Sequence, residues 1–328
     1  MNKKNYALSA LSVASLLLAG CFGGSSDSGS DNQAPTNQAA RSQAEITVEN
    51  APKIVSEIVK VMFSDDDYFE DFDLDDFIDV VLSEELGIEL EANPVTENIK
   101  HECSNSGSLN ASIAYGGYSS MHEDINLVFN SCESELFSAN GSYSIVEQFT
   151  GTKYTYKNIT NNLKVEYPLG GKIKIENGSR TADCNVTETA DDCVFSSPSY
   201  ETKNGEGFYR TYSSKLETWS NYDAKPGDVD EEEIISLILD ASRLDGSLQI
   251  NTPNKLEYKD YWNNFSSTIL PIAGKLKVVG ANNANILITF SEAGAKVQVD
   301  TNNDKKYECN NNDVTLLQIE NSSWVCSK

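Results

Sequence analysis

The chain has 328 residues, with 50 acidic side chains against 25 basic ones, and its formal net charge is −25. This charge excludes a basic footprint for nucleic acid and disfavours electrostatic docking on anionic lipid, because both need clustered lysine and arginine. It favours solubility and the binding of cations or basic partners.

The N-terminal residues have the pattern of a bacterial export signal. Two lysines precede an apolar run of small residues that is too short to span a bilayer. The run ends in Leu18-Ala19-Gly20-Cys21, which resembles the lipobox of bacterial lipoproteins. The resemblance implies a signal peptide over residues 1–20 and a palmitate-type lipid anchor on Cys21. An ordinary export signal with an incidental cysteine is the alternative.

A polar tether follows the cysteine. Residues 21–45 are rich in Gly, Ser, Asp, Asn and Gln, a composition typical of a flexible linker. In Gram-negative lipoproteins an aspartate just after the cysteine favours the inner membrane, and this chain has Phe22 there. The resemblance therefore implies an outer-membrane location, with the lipid as the contact to the membrane.

Residues 46–98 form an acidic segment with helical periodicity. Ile54, Ile58 and Met62 recur at helical spacing after an Asn-Ala-Pro start, which predicts one helix. A second apolar stripe runs from Leu74 to Leu86, with Asp73 as its predicted cap and Gly87 as its stop; the members between are Phe77, Ile78, Val81 and Leu82. We expect both helices to dock on the main body or to form a small subdomain.

The apolar pattern changes to a period of two in residues 99–328. Short alternating stretches rich in Tyr, Thr, Val and Ile, separated by turn residues, predict a mainly β domain built as an antiparallel meander. Asn177-Gly178 and Asp245-Gly246 are the strongest hairpin signals. One face of such a sheet must be covered, which a sandwich, a barrel or a curved half-barrel closed by the N-terminal helices would achieve. The last alternative resembles, in outline, lipoproteins that carry lipids.

Six cysteines remain besides Cys21, an even number that indicates a disulfide framework in an oxidising compartment. Their order along the chain predicts the pairs Cys103–Cys132, Cys184–Cys193 and Cys309–Cys326. A cysteine-metal site is the rival interpretation, but the chain has no C-x-x-C motif and only two histidines.

Asp300, Asn302 and Asp304 match the first half of a calcium loop, in which oxygen ligands on alternate residues surround a hard cation. The match then fails, because Lys305 stands where glycine is expected and Asn311 where the bidentate glutamate would be. A plain polar turn is therefore the alternative to a weak calcium site. No other cofactor is predicted.

No motif for catalysis stands out in the sequence. There is no nucleophile elbow, Walker loop or dinucleotide fingerprint, and a serine triad would have to use His101 or His122. We therefore predict a non-enzymatic binding or structural protein of the outer envelope. If its ligand is hydrophobic, strand aromatics would line a cavity: Tyr115, Phe129, Tyr143, Tyr154 and Tyr167.

Two alternatives remain. One is an envelope glycan hydrolase, which would need two facing carboxylates and aromatic platforms such as Trp219 and Trp262. The other is a surface adhesin-like module with calcium bound near Asp300. The protein or hydrophobic partner is not identified by the sequence.

Overall fold

The computed structural model describes residues 40–63, 74–88, 95–116, 122–167, 172–204, 207–225, 227–259 and 271–326. The predicted signal peptide, Cys21 and most of the tether lie outside these residues. So do Asp73, the predicted cap of the second helix, and Trp262.

Fourteen β-strands lie in the described residues. Their bounds are β1 Val95–Glu102, β2 Ser106–Tyr115, β3 His122–Glu133, β4 Ser138–Thr150, β5 Lys153–Tyr167, β6 Lys172–Val186, β7 Ala190–Asn204, β8 Gly207–Asn221, β9 Val229–Ala241, β10 Ser247–Lys259, β11 Ala273–Val279, β12 Asn285–Ser291, β13 Gly294–Asp300 and β14 Cys309–Val314. β1 begins at Val95, so the sheet starts four residues before the predicted domain boundary at 99.

The strands form one antiparallel meander, which confirms the predicted fold class. Each strand pairs with the next along the chain, from β1 to β14, and these two strands form the edges of an open sheet. The alternation expected from the sequence is visible in β2, where Leu109, Ala111 and Ile113 are buried and the residues between them are exposed. Of the predicted architectures, the open sheet covered by helices corresponds to the half-barrel.

The first helix, α1 (Ala51–Phe63), begins after a reciprocal pair of hydrogen bonds between Thr47 and Asn50. Its predicted apolar stripe is buried, as are Ser56 and Glu57, which are 3% and 5% exposed. The helix is thus enclosed on more than one side. Its apolar residues share one core with residues from ten strands, β5 to β14.

The width of the sheet favours curvature. Ten strands laid flat would span about 45 Å at about 4.8 Å per strand, whereas a helix with its side chains is only about 10–12 Å wide. One continuous core that joins this helix to residues of all ten strands therefore indicates a sheet that curves around the helix. At the far end of the helix, the Phe63 ring meets that of Phe290 edge-on at 5.8 Å.

The second helix, α2 (Leu74–Val80), continues into a single π-helical turn, Val81–Glu85, and fills a separate core formed with the strands up to β5. Phe77 is fully buried there, with its ring 5.7 Å from Phe129 and 5.1 Å from Phe137. Gly87 has a φ of +67°, which suits its predicted role as the stop. A third helix, α3 (Leu316–Glu320), follows β14.

The two hairpin signals have different outcomes. Asp245-Gly246 forms the turn between β9 and β10, as predicted. The prediction for Asn177-Gly178 is wrong, because both residues lie inside β6. Gly178 has a φ of +147°, and a Cβ there would collide with Ser199 O and lie 2.7 Å from Tyr200 Cα. Close approach of the next strand requires this glycine, rather than a turn.

The three predicted cysteine pairs lie at disulfide-bonding distance. Cys184 and Cys193 face each other across β6 and β7, with a Cα–Cα distance of 4.0 Å. Cys103–Cys132 connects the end of β1 to β3, at 5.5 Å, and Cys309–Cys326 ties the C-terminal segment to β14, at 5.0 Å. Each pair closes a short loop, which in the chain-entropy account stabilises a fold by about 2–4 kcal/mol.

The two cores predict unequal responses to a cavity. Phe77→Ala should lower the free energy of unfolding by about 3–5 kcal/mol, because it empties a fully buried aromatic site. Native-state hydrogen exchange should show the loss of protection mainly in β2–β4. Val128→Ala, on the exposed face of β3, is the control and should change stability by less than about 0.5 kcal/mol. Equal loss of protection in β9–β13 would contradict the prediction.

Candidate cation-binding sites

The loop between β13 and β14 gathers three carboxylates. Asp300, Asp304 and Glu308 each place a side-chain oxygen within 4.8 Å of the others, and within the described residues this is the one place where three potential metal-binding acids converge so closely. Asp300 is buried at 2% exposure, whereas Asp304 is exposed. Such a cluster of hard oxygen atoms suits Ca²⁺ better than a soft metal.

The backbone of this loop resembles the first half of a calcium loop in its spacing. Asp300, Asn302 and Asp304 occupy positions 1, 3 and 5, and Lys305 at position 6 has a φ of +65°, the conformation for which glycine is usual. The Asp300 carboxylate accepts hydrogen bonds from the amides of Asn302, at 3.3 Å, and Lys305, at 3.0 Å. The Asn302 side-chain oxygen accepts from the Asp304 amide, at 2.9 Å.

Sequence reasoning missed Glu308, which is position 9 of the same loop. In calcium loops position 9 contributes a ligand, often through water, so its spacing from Asp300 was the available signal. Its Oε2 accepts a hydrogen bond from the Thr301 amide at 2.8 Å, which turns the carboxylate toward the loop interior. The predicted Asp300–Asn302–Asp304 set thus gains a third carboxylate from the structure.

A second group of acids consists of buried side chains on two strands of the sheet. Asp191 on β7 and Asp230, Glu231 and Glu233 on β9 are each 4–5% exposed. Burial, followed by the nearby charges of Glu233, Asp230 and Asp191, raises the pKa of Glu231 to about 9. Burial also raises the pKa of Glu233 to about 7, although the Tyr258 hydroxyl donates a 2.5 Å hydrogen bond to its carboxylate.

A third buried group, on β6 and β7, is different because its charges are paired. Glu176 lies 2.9 Å from Lys174 and accepts a hydrogen bond from Tyr200, and the Arg180 guanidinium stacks 3.7 Å from the centre of the Tyr200 ring. Burial would raise the pKa of Glu176, but Lys174 and Arg180 hold it below its usual value. The pairing is that of a structural network between the two cores.

The aromatic residues proposed to line a ligand cavity are partly used for internal packing. Phe129, Tyr143 and Tyr154 are buried in the two cores, and the Tyr167 ring packs edge-on against Phe77 at 6.3 Å. Tyr115 is half-buried. Phe77 of the second helix therefore occupies the space against Phe129 and Tyr167 that a hydrophobic ligand would need.

Of the residues considered for hydrolysis, Trp219, His101 and His122 lie on different strands, and Trp262 is outside the described residues. Trp219 is 37% exposed on β8, whereas the buried acids of β7 and β9 are out of reach of a polymer in this structure. His101, in β1, contacts Glu85 at 2.8 Å between Nε2 and Oε1. His122 is the first residue of β3.

The comparisons with known proteins give no family to which the chain can be assigned. The chain matches no protein-family model, no curated protein and no solved structure. Among the residues that the structure describes, no helix is long and apolar enough to cross a membrane.

The raised pKa of Glu233 predicts a pH dependence of stability. The native carboxyl keeps its proton up to about pH 7, whereas the unfolded one loses it near pH 4.5. The native state then binds more protons, so this group's stabilising effect is full below pH 4.5 and is lost as the pH rises to about 7, by up to about 1.4 kcal/mol per unit.

Glu233→Gln should reduce this slope, measured by urea unfolding in EDTA between pH 4.5 and 7.5. Glu232→Gln is the matched control, because Glu232 is its neighbour on β9 and forms an ion pair with Lys255 instead. A slope that is equal in both variants would refute the assignment.

Proposed function

We propose that the chain is a lipid-anchored, non-enzymatic binding or structural protein of the bacterial outer envelope. The sequence Leu18-Ala19-Gly20-Cys21, followed by a polar linker, is the observation that carries this proposal. Three disulfide pairs support an oxidising compartment, since such bonds persist outside the cytosol. Two or three acyl chains on Cys21 would suffice for stable anchoring.

The attachment of the linker to the folded body supports the same proposal. The Arg41 guanidinium donates to the buried Asp240 carboxylate at 2.7 Å and to the carbonyl oxygens of Ala241, at 2.6 Å, and Leu244, at 2.8 Å. Arg41, near the end of the predicted tether, is therefore bound to the sheet.

Backbone hydrogen bonds reinforce this attachment. The amide of Ala44 donates to Ser247 O at 2.8 Å, and the amide of Ser247 donates to Ser42 O at 3.0 Å. Ala44 O also accepts from the amide of Ala281, at 2.8 Å. Tension on the anchor would thus be distributed over the turns that precede β10 and β12. The twenty residues from Cys21 to Ala40 would span about 25 Å as a random coil.

Removal of the lipid acceptor tests the anchor. Cys21→Ser should abolish incorporation of labelled palmitate and release the protein from the membrane fraction, while the far-ultraviolet circular dichroism of the β body stays unchanged. Ser26→Ala, within the same linker, should leave both labelling and location unchanged. A Cys21→Ser variant that stays in the membrane fraction would overturn the proposed anchor.

The residue after the acceptor tests the proposed membrane. Phe22→Asp should move the protein to the inner-membrane fraction of a density gradient, as the lipoprotein resemblance implies, whereas Phe22→Leu should leave it in the outer-membrane fraction. Identical distributions for the two variants would argue against sorting by this position.

A calcium-binding surface module is the second candidate function, and the convergence of Asp300, Asp304 and Glu308 favours it. Among the described residues, the one ion pair to these three acids comes from Lys306, whose exposed Nζ lies 3.7 Å from Asp304 Oδ2. Exposed ion pairs of this kind contribute little to stability, so a divalent cation would be the stronger partner for the three carboxylates. Extracellular calcium modules typically bind with a Kd of about 0.1–1 mM.

Calorimetry with calcium on EDTA-treated protein tests this second function. Asp304→Asn and Glu308→Gln should each weaken binding at the loop and reduce the calcium-induced rise in melting temperature. Asp313→Asn, an exposed acid on β14, is the control and should leave both unchanged. Wild-type protein that shows neither heat nor a thermal shift with calcium would exclude the module.

A further inference from the structure

Two of the buried acids face each other across a small residue. The strand register aligns Asp191 on β7 with Ser220 on β8, and Ser220 with Glu231 on β9. Residues aligned across adjacent strands extend on the same face of a sheet. The two carboxylates therefore project from the strands that flank β8, and Ser220 is the residue of β8 aligned with both.

Within the described residues, each of these carboxylates has one buried oxygen with no hydrogen-bond partner. The Asp191 carboxylate accepts from the Tyr222 hydroxyl, at 2.6 Å to Oδ2, and from the backbone of Thr187. The Ser220 hydroxyl donates to the Glu231 carboxylate. In this part of the chain, the buried oxygens of the two carboxylates that accept no hydrogen bond are Asp191 Oδ1 and Glu231 Oε2. Oxygen atoms that are removed from water without a partner cost free energy, which a bound ion or an added proton can offset.

The charge around these oxygens has one sign. The electrostatic influences on Glu231 come from Glu233, Asp230 and Asp191, and burial is the largest influence on Asp191. By contrast, Glu176 in the middle of the sheet has both Lys174 and Arg180 beside it. The acids of β7 and β9 thus form a negative site with two available oxygens.

We propose that Asp191 and Glu231 bind one hard divalent cation, Mg²⁺ or Ca²⁺, in the space over Ser220. Two carboxylates with water in the remaining positions is a common ligand set for Mg²⁺, and Ca²⁺ accepts the same oxygens with more ligands. Asp230 and Glu233 add negative potential. The site is independent of the proposed lipid anchor and of the Asp300 loop.

A proton is the competing occupant, and the two occupants have opposite consequences. Glu231 holds a proton at neutral pH when no ion is bound, because its pKa is raised to about 9. A cation that binds there must displace this proton, so affinity rises with pH and binding releases about one proton per ion. If the proton is the only occupant, added metal changes nothing at this site.

The experiment uses the full chain in detergent, stripped with EDTA, with Asp304→Asn introduced to weaken the loop site. Titration calorimetry with MgCl₂ and with CaCl₂, at pH 7.5 in two buffers of different ionisation enthalpy, should give one site and a release of about one proton. The two salts distinguish the ions. Glu231→Gln in this background should weaken binding by about 10-fold or more, since even an outer-shell change commonly has that effect.

Controls keep the result interpretable. Glu231→Gln has the shape of the protonated side chain, so it should fold, and circular dichroism verifies this. Asp191→Asn is the second ligand variant, and Glu232→Gln is the control on the same strand. No binding in the Asp304→Asn background, or binding unaffected by Glu231→Gln and Asp191→Asn, would overturn the proposal and leave the proton as occupant.

Discussion

Burial of one face of a very wide sheet is the constraint on which the rest of the structure depends. An open meander of fourteen strands has far more apolar inner surface than its own curvature can cover, so other elements must fill the concave side. The chain meets this need with two helices that precede the sheet in sequence. α1 shares a core with the strands from β5 onward, and α2 shares a core with the strands up to β5.

The buried charged residues of the sheet fall into two groups that differ in how their charge is compensated. On β6, the charge of Glu176 is compensated by Lys174 and Arg180, and the three act as a structural network. Near the start of β9, Asp191 and Glu231 have no basic partner of that kind among the residues that the structure describes. Burying a charge costs free energy unless an opposite charge compensates it. The compensated group is therefore structural, and the uncompensated group is a candidate binding site.

Part of the chain's negative charge is concentrated at two places in the structure. In the loop after β13, Asp300, Asp304 and Glu308 concentrate it at one point, and the buried acids of β7 and β9 concentrate it at another. Both places present hard oxygen atoms, which are the ligands that divalent cations prefer.

The sequence by itself determined the β meander, α1, the stop at Gly87 after the second helical segment and the three cysteine pairs, because periodicity, turn residues and proximity along the chain are local properties. It could not determine that Gly178 lies within a strand, since glycine is required there by the close approach of the Tyr200 backbone on the next strand. Nor could it place Glu308 beside Asp300, or Asp191 in register with Glu231. Strand register and loop closure determine which of these residues lie close together, and both arise only when distant segments pack against one another.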